Sequence, residues 1–543
     1  MNNTFISKFP TGYTPNSQQS NLIPQIEAAF KKGKKFVICN ASTGSGKSLI
    51  AKTLANNAKK ATPDFINLIK TYEAFEQNHL GEYINDMQCL AEGSHGAIAI
   101  TVTKALQDQY LDLFTDTCLV KGKSNYACVV DENYDVETAP CVFAAYIREE
   151  CQKENKCPYY NARNDGLIAQ FTVTNYKMFS ALPSHVKRRD FIICDEASEL
   201  EEELVKQFSA EVVYAKLKYA DVRFKPLITD DLLEARSWIA DVRDSVDTRA
   251  KAIQTSIRER KGVPTVAEKN RITLLKNLHT SLTQVDESWT DSEYIVDRTA
   301  EGVNFTPLRV DKLSKSIFDH GEKILLLSAT IVDHKNFAKV LGITDYEYIE
   351  APCTFDPKKS PIYVSTRYRL NYKNLKGLLP QICADIKKIC DQHATEKGVI
   401  HTHSQEICDY LNTYFSNDDR FLFRKGKEKN EHILKQHSET TEATVLVSPS
   451  LTHGVDLKDD LARFQIIVKL PYAPLYNKRV SRLFENDKVW YQNKMLSTLV
   501  QTTGRATRSA DDHSVTYILD GNTVDVLQKS LDKLPAHFIS RFA

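Results

Sequence analysis

The stretch Ala41 to Ser48, ASTGSGKS, constrains this chain more than any other. It follows the apolar run Phe36, Val37, Ile38, Cys39 and leads into Leu49, Ile50 and Ala51, the order of a buried strand, a tight loop and a helix. A loop in that setting is built to hold a polyphosphate. Gly44, Ser45 and Gly46 let backbone N–H groups turn inward, Lys47 reaches the β/γ-phosphates, and Ser48 places its hydroxyl on a magnesium ion. The helix N-terminus adds a favourable field. Ala41 stands where such loops usually carry their first glycine, and its small side chain keeps the bend accessible.

At 543 residues the chain is long enough for several domains, each with its own core. Lys and Arg total 71 against 70 Asp and Glu, so a nucleic-acid surface must come from local patches and not from overall charge. The opening MNNTFISKFP lacks a basic segment followed by an apolar core, and no apolar run approaches the roughly 20 residues that cross a bilayer. A soluble, cytoplasmic protein is the expectation. Twelve cysteines in such a chain argue against a disulfide framework, and five of them fall between Cys118 and Cys157.

Upstream of the loop, Leu22, Ile26 and Phe30 recur at the spacing of a helix's inner face. Gln18 or Gln19 lies near the start of that helix, where an amide can both donate to and accept from an adenine edge. Gln19 is the candidate, against the plainer reading of a surface glutamine. Ala61 to His95 has mixed polarity and reads as an insertion. Ala97 to Val102 is a second buried strand, and Thr101, Thr103 and Gln107 in TVTKALQDQY either contact nucleic-acid phosphates or cap a helix. The run FTVTNY, Phe171 to Tyr176, repeats the form. At Phe191 to Cys194 a strand ends in DEAS, with Asp195 placed to hold magnesium through water and Glu196 to activate the attacking water.

Between those strands, Cys128, Cys141, Cys151 and Cys157 share one stretch flanked by KGKSNYAC and CPYYNAR. Four soft thiolates supply every ligand that a metal or an iron–sulfur cluster needs. Structural zinc usually draws on close Cys-x-x-Cys pairs, and none is present, so the irregular intervals favour a cubane cluster while spacing alone leaves zinc open. Cys118 is a substitute ligand; Cys39 and Cys194 lie in apolar runs and read as core.

Beyond Glu199 long helices take over. Leu232, Ala235, Ile239, Val242, Val246, Ala250, Ile253 and Ile257 alternate three- and four-residue steps, GVPT breaks the run, and Ile272, Leu275, Leu278, Leu282 and Val285 resume it as an antiparallel hairpin. Its Arg249, Lys251, Arg258, Arg260 and Lys261 face a nucleic-acid strand or, for most of them, solvent. The strand Ile324 to Leu327 delivers Ser328-Ala329-Thr330, whose hydroxyls can bond the metal-holding carboxylates. From about Ala351 a second α/β unit begins, with strands at Gly398 to His401, Thr444 to Val447, Gln465 to Leu470 and Val515 to Leu519, and no phosphate loop of its own. It carries HGVDL, with Gly454 and Asp456, and QTTGRATR, whose Gln501, Gly504, Arg505 and Arg508 are spaced to share one helix face. Arg505 and Arg508 are candidates for arginines that neutralise charge building on a γ-phosphate.

Taken in order, these motifs resemble the XPD/DinG family of superfamily 2 iron–sulfur DNA helicases. ASTGSGKS stands as motif I, TVTKALQDQY as Ia, SAT as III, HGVDL as V and QTTGRATR as VI, with four cysteines ahead of DEAS. The segments SNYAC and CPYYNAR look most like the DinG side of the family. The resemblance spans nearly the whole chain and implies an α/β fold with two RecA-like P-loop domains. Domain 1 would take residues 1–110, 166–205 and 301–350, an iron–sulfur insert 111–165, a helical Arch-like insert 206–300, and domain 2 residues 351–543. It also implies ATP, Mg2+ and a [4Fe-4S] cluster as cofactors, the cluster held by Cys128, Cys141, Cys151 and Cys157. Implied catalytic residues are Lys47, Asp195, Glu196, Gln501, Arg505 and Arg508, with Ser48 and Asp195 on the metal and nucleotide contacts from Gln19, Gly44 to Ser48, Gly454 and Asp456. The implied activity is movement 5′ to 3′ on single-stranded DNA and duplex unwinding, with the cluster insert as wedge. The alternative is a single-strand-stimulated ATPase that remodels protein–DNA complexes without processive unwinding. Expected partners are single-stranded and forked DNA and a single-strand-binding protein, with no membrane, the chain acting as a monomer. Ser198 stands where the family often has histidine, and the length leaves no room for the N-terminal exonuclease domain of some DinG-like proteins.

Overall fold

The computed structural model describes residues 4–42, 44–66, 95–142, 147, 150–151, 156–182, 187–260, 264–351, 356–424, 430–449, 457, 459–506 and 512–543. Gly454, Asp456 and Arg508 lie outside the described residues, as do Lys261 and most of the expected insertion after Ala61.

The strands of the first half are β1 (Phe36–Asn40), β2 (Ala97–Thr101), β3 (Cys118–Leu119), β4 (Phe171–Asn175) and β5 (Arg189–Asp195). Then come β6 (Ala210–Val213), β7 (Tyr294–Arg298), β8 (Gly302–Pro307), β9 (Gly321–Ser328) and β10 (Tyr346–Glu350). The second half supplies β11 (Ile362–Tyr368), β12 (Gly398–His401), β13 (Phe421–Phe423), β14 (Val445–Ser448), β15 (Phe464–Ile467) and β16 (Val515–Asp520). Helices used below are α1 (Ser17–Lys31), α2 (Lys47–Asn57), α3 (Lys104–Leu113), α4 (Leu200–Gln207), α5 (Leu232–Glu259), α6 (Val266–Glu287), α7 (Lys478–Asn486), α8 (Lys488–Thr503) and α9 (Ala536–Ile539).

Two parallel sheets organise the molecule, in the orders β10-β1-β9-β5-β2-β4-β3 and β11-β16-β15-β12-β14-β13. Strands buried on both faces read as continuous apolar runs, which is why FVIC, AIAI and FIIC announce themselves in the sequence. The register aligns Asn40 with Ser328 and Asp195 with Leu327, so the phosphate loop, DEAS and SAT leave the first sheet at one edge. That carboxyl edge is where open α/β sheets hold ligands.

The helical hairpin is present as α5 and α6, and its expected apolar positions are buried except Leu232, which is 42% exposed in the first turn after the Asp231 cap. The hairpin does not stand alone. Its core closes on Val212, Tyr294, Val303 and Phe305 of an antiparallel sheet ordered β6-β8-β7, so the insert expected to be helical is mixed. A two-helix hairpin buries only its facing stripes, and the sheet covers the apolar side left over. The basic residues read as a solvated face are partly ion-paired: Arg249 with Asp221, Lys251 with Asp247 and Arg260 with Glu268. Among the described residues no helix is long and apolar enough to cross a membrane.

Candidate nucleotide site

The phosphate loop bends where its glycines allow. Gly44 and Gly46 have φ of +80° and +75°, a region costly for other L-residues, and Gly46 caps the start of α2. Gly46 is also packed too closely for a side chain, since a Cβ there would meet the Gln19 amide nitrogen at 2.1 Å. That amide explains the loop's shape. Gln19 Nε2 donates to the carbonyls of Ser45 (3.1 Å) and Gly46 (3.3 Å), and its Oε1 accepts from the Asn16 N–H (3.0 Å) in the capping box that starts α1. The structure therefore places Gln19 beneath the loop as its support, with both amide atoms engaged there.

Lys47, at the first turn of α2, lies 3.3 Å from Glu196 Oε1. Glu196 follows β5 in a left-handed conformation (φ +51°), the kind of local strain that folds tolerate where function needs a side chain aimed. Asp195 is buried, accepting from the Glu196 N–H at 3.0 Å and from the Tyr110 hydroxyl at 3.1 Å. Burial, reinforced by the neighbouring Glu196 charge and opposed by Lys47, pushes the Asp195 carboxyl up to about 6. Because the folded value exceeds the unfolded one, this group's stabilising contribution is present below the ordinary value of 3.8 and is lost as pH rises through about 6. A divalent cation reverses that penalty by favouring the carboxylate. The thermal stabilisation produced by Mg·ADP is accordingly expected to be larger well above pH 6 than below it, where protons compete for Asp195; melting curves on either side of that pH check the sign.

The motifs beyond the loop are linked to it by hydrogen bonds. Ser328 and Thr330 each donate a hydroxyl to Ser198 Oγ at 2.9 Å, so the serine standing at the usual histidine position still joins DEAS to SAT. Gln501, in α8, donates its amide to Glu199 Oε1 at 2.9 Å, connecting the two sheet domains. Arg505 does not share the helix face of Gln501: α8 ends at Thr503, Gly504 closes it, and Arg505 follows, largely buried. Glycine's weak helix propensity ends the helix one turn before the spacing argument requires.

The C-terminal segment also reaches this cleft, and nothing in the sequence announced it. The Ala536 N–H, at the start of α9, donates to Glu350 Oε1 at 2.9 Å, and Glu350 is in register with Asn40, immediately before the phosphate loop. Burial, with the positive charges of Arg541 and Lys47 nearby, lowers the His537 imidazole to about 4. Arg541 donates to the Thr503 carbonyl at 3.2 Å. Such neighbours come from tertiary folding and leave no local pattern to read.

Two expectations resolve differently. Thr103 caps α3 by accepting from the Leu106 N–H, whereas Thr101 donates to the carbonyls of Thr103 and Thr174 and Gln107 is fully buried, so the capping reading describes Thr103 alone. Among the cysteines, the Cys151 thiol is pushed up by burial and by the proximity of Cys128 and Cys157. Cys118 stands apart: it donates to the Ala162 carbonyl, and burial together with Asp165 pushes it up to about 12. Cys128, Cys141, Cys151 and Cys157 match a thiolate cluster in donor chemistry, but among the described residues no three His, Cys, Asp or Glu side chains converge closely enough to hold a metal ion.

Residues 12–220 match the family described as the type III restriction enzyme res subunit, and residues 387–536 match the helicase C-terminal domain. The solved structure called XPD_Helicase superposes with a TM-score of 0.61 at 16% identity, covering 96% of this chain and 99% of its own. In fold the chain is XPD-like. A second structure, XPD_APO, gives a TM-score of 0.58 at 15% identity over 94% of this chain and 99% of its own. The Escherichia coli (strain K12) protein named ATP-dependent DNA helicase YoaA is 21% identical over 627 residues, covering 96% of this chain and 93% of that protein. An XPD-like fold accounts for both parallel sheets.

Proposed function

We propose that this chain is an ATP-dependent DNA helicase that moves 5′ to 3′ on single-stranded DNA, with the cysteine insert as its wedge. The observation that carries this reading is the bond between Gln501 of the second domain and Glu199, three residues beyond Glu196 in the first. It brings the loop-free domain against the hydrolytic pair, as coupling of nucleotide turnover to domain movement requires. Lys47 binds the β/γ-phosphates, and Glu196 takes the proton of the water that attacks the γ-phosphorus. The terminal phosphoryl group leaves as phosphate and the bridging oxygen keeps its electron pair on ADP. Ser48 and Asp195 are the residues that would hold magnesium, which would supply charge neutralisation on the phosphates. Arg505, with Arg508, neutralises the charge that builds during transfer, and release lets the domains part. Opening duplex costs on average about 1.4 kcal/mol per step, so strand separation needs repeated turnover.

ATP hydrolysis with and without single-stranded DNA, beside displacement of a strand from 5′-tailed and 3′-tailed duplexes, tests the reading. Stimulated hydrolysis with displacement from the 5′-tailed substrate is expected. Hydrolysis without displacement would assign the chain instead to the ATPases that remodel protein–DNA complexes, and displacement from the 3′ tail alone would reverse the polarity.

The wedge rests on the cluster. Cys128, Cys141, Cys151 and Cys157 are the residues that would hold it, and anaerobically purified protein is expected to contain about four irons per chain. Cys128→Ser is expected to lose iron and strand separation while keeping ATP hydrolysis. A colourless protein with stoichiometric zinc, or unimpaired unwinding by an iron-free Cys128→Ser chain, removes the cluster from the mechanism.

A further inference from the structure

Tyr110 closes the segment TVTKALQDQY, and the sequence alone gives it no role at the nucleotide site. Its side chain is 1% exposed, on α3, and its hydroxyl donates to Asp195 Oδ2 at 3.1 Å. The phenol thus engages the carboxylate which, with the Ser48 hydroxyl of the phosphate loop, offers the oxygen donors that fit a magnesium ion. The contact also has a direction. The phenol donates, so its hydrogen holds Asp195 Oδ2 while lone pairs of the carboxylate stay available to a cation.

The surroundings keep that oxygen in place. The Tyr110 ring meets Phe171 edge to face at a centroid separation of 5.8 Å and tilts against Phe114 at 6.4 Å. The α3 helix that carries it is tied on its outer side to the segment before Cys128, through Lys104 to Asn125 (2.7 Å) and Asp108 to Lys121 (2.8 Å). A phenol fixed by ring packing holds the Asp195 carboxylate, at the end of β5, in one orientation.

We propose that Tyr110 is a positioning residue for magnesium, holding Asp195 in the orientation from which it serves the ion. This rests on the reading of the chain as a magnesium-dependent ATPase. Phenylalanine keeps the ring and its packing and removes only the hydroxyl, so Tyr110→Phe in the full chain is the informative variant. Calorimetric titration of Mg2+ into the ADP-bound protein reads the effect directly, without turnover. The variant is expected to bind Mg2+ about tenfold more weakly than wild type, the fold-change of one hydrogen bond to a charged group. Its affinity for ADP in the absence of Mg2+ is expected to stay at the wild-type value, because packing is unchanged.

Equal Mg2+ affinity in variant and wild type overturns the proposal. So does a loss of Mg2+-free ADP binding in the same proportion, which would mark Tyr110 as a packing residue only. If the wild-type chain binds neither ADP nor Mg·ADP, the ATPase reading itself falls and the proposal with it, an outcome separable from the other two because it appears before any variant is made.

Discussion

A chain carrying Glu196→Gln hydrolyses ATP about 10²–10⁴-fold more slowly than wild type, the loss expected when a general base is removed. Glutamine has the size of glutamate and can occupy the same left-handed position, so the geometry at φ +51° is retained. What it cannot do is take a proton from water. In the free chain Lys47 lies 3.3 Å from the Glu196 carboxylate, and phosphates arriving in the loop compete for that lysine and leave the carboxylate available. The same substitution removes the charge that helps push Asp195 up to about 6, so Asp195 moves back down and ionises more readily. Mg·ADP binding is therefore expected to be kept or strengthened while turnover is lost. Steady-state hydrolysis beside nucleotide binding distinguishes the two, and a Glu196→Gln chain that hydrolyses at the original rate removes Glu196 from the chemistry.

The residues that could be read in advance are those whose chemistry is local. Gly44 and Gly46 adopt positive φ because the loop they form needs it, and β12 runs from Gly398 to His401 as its apolar run indicates. The hairpin was legible because Ile239, Val242, Val246, Ile253 and Ile257 repeat with the helix period over many turns. Strands β3 and β13 are two and three residues long, too short for a period to show. The sheet beside the hairpin was hidden because β6 and β8 pair across an insertion of both long helices. Tyr110 and His537 escaped for a related reason. Tyr110 sits in an amphipathic helix and His537 in a single helical turn, and only the hydrogen bond from Tyr110 to Asp195, or the approach of the C-terminal segment to β10, gives each its place at the nucleotide site.

Glu201→Ala is expected to destabilise the junction between the two domains by about 3–5 kcal/mol, the cost of leaving a buried charge without its partner. Glu201, on α4, accepts from Arg479 Nη2 at 2.6 Å and from the Trp490 indole N–H at 3.0 Å. Arg479, on α7, also donates to the Pro307 carbonyl at 3.0 Å, and its guanidinium lies over the Trp490 ring at 5.5 Å. With side-chain exposures of 6% and 13%, Arg479 and Glu201 are nearly dry, and truncating the carboxylate strands a guanidinium and an indole N–H away from water. The neighbouring Glu202 tells the same story: burial alone would raise its carboxyl, but Lys494 at 2.9 Å and Arg479 outweigh it and hold it below the usual range. Urea unfolding should show the loss. The double variant Glu201→Leu with Arg479→Met should recover most of it, because replacing both members of a buried pair by apolar groups removes the stranded charge. A cost for Glu201→Ala of under about 1 kcal/mol, as for an exposed pair, would instead make this contact incidental. The functional consequence follows from position: α8 carries both Trp490 and Gln501, so loosening its start also loosens the Gln501 contact to Glu199 beside the hydrolytic carboxylate.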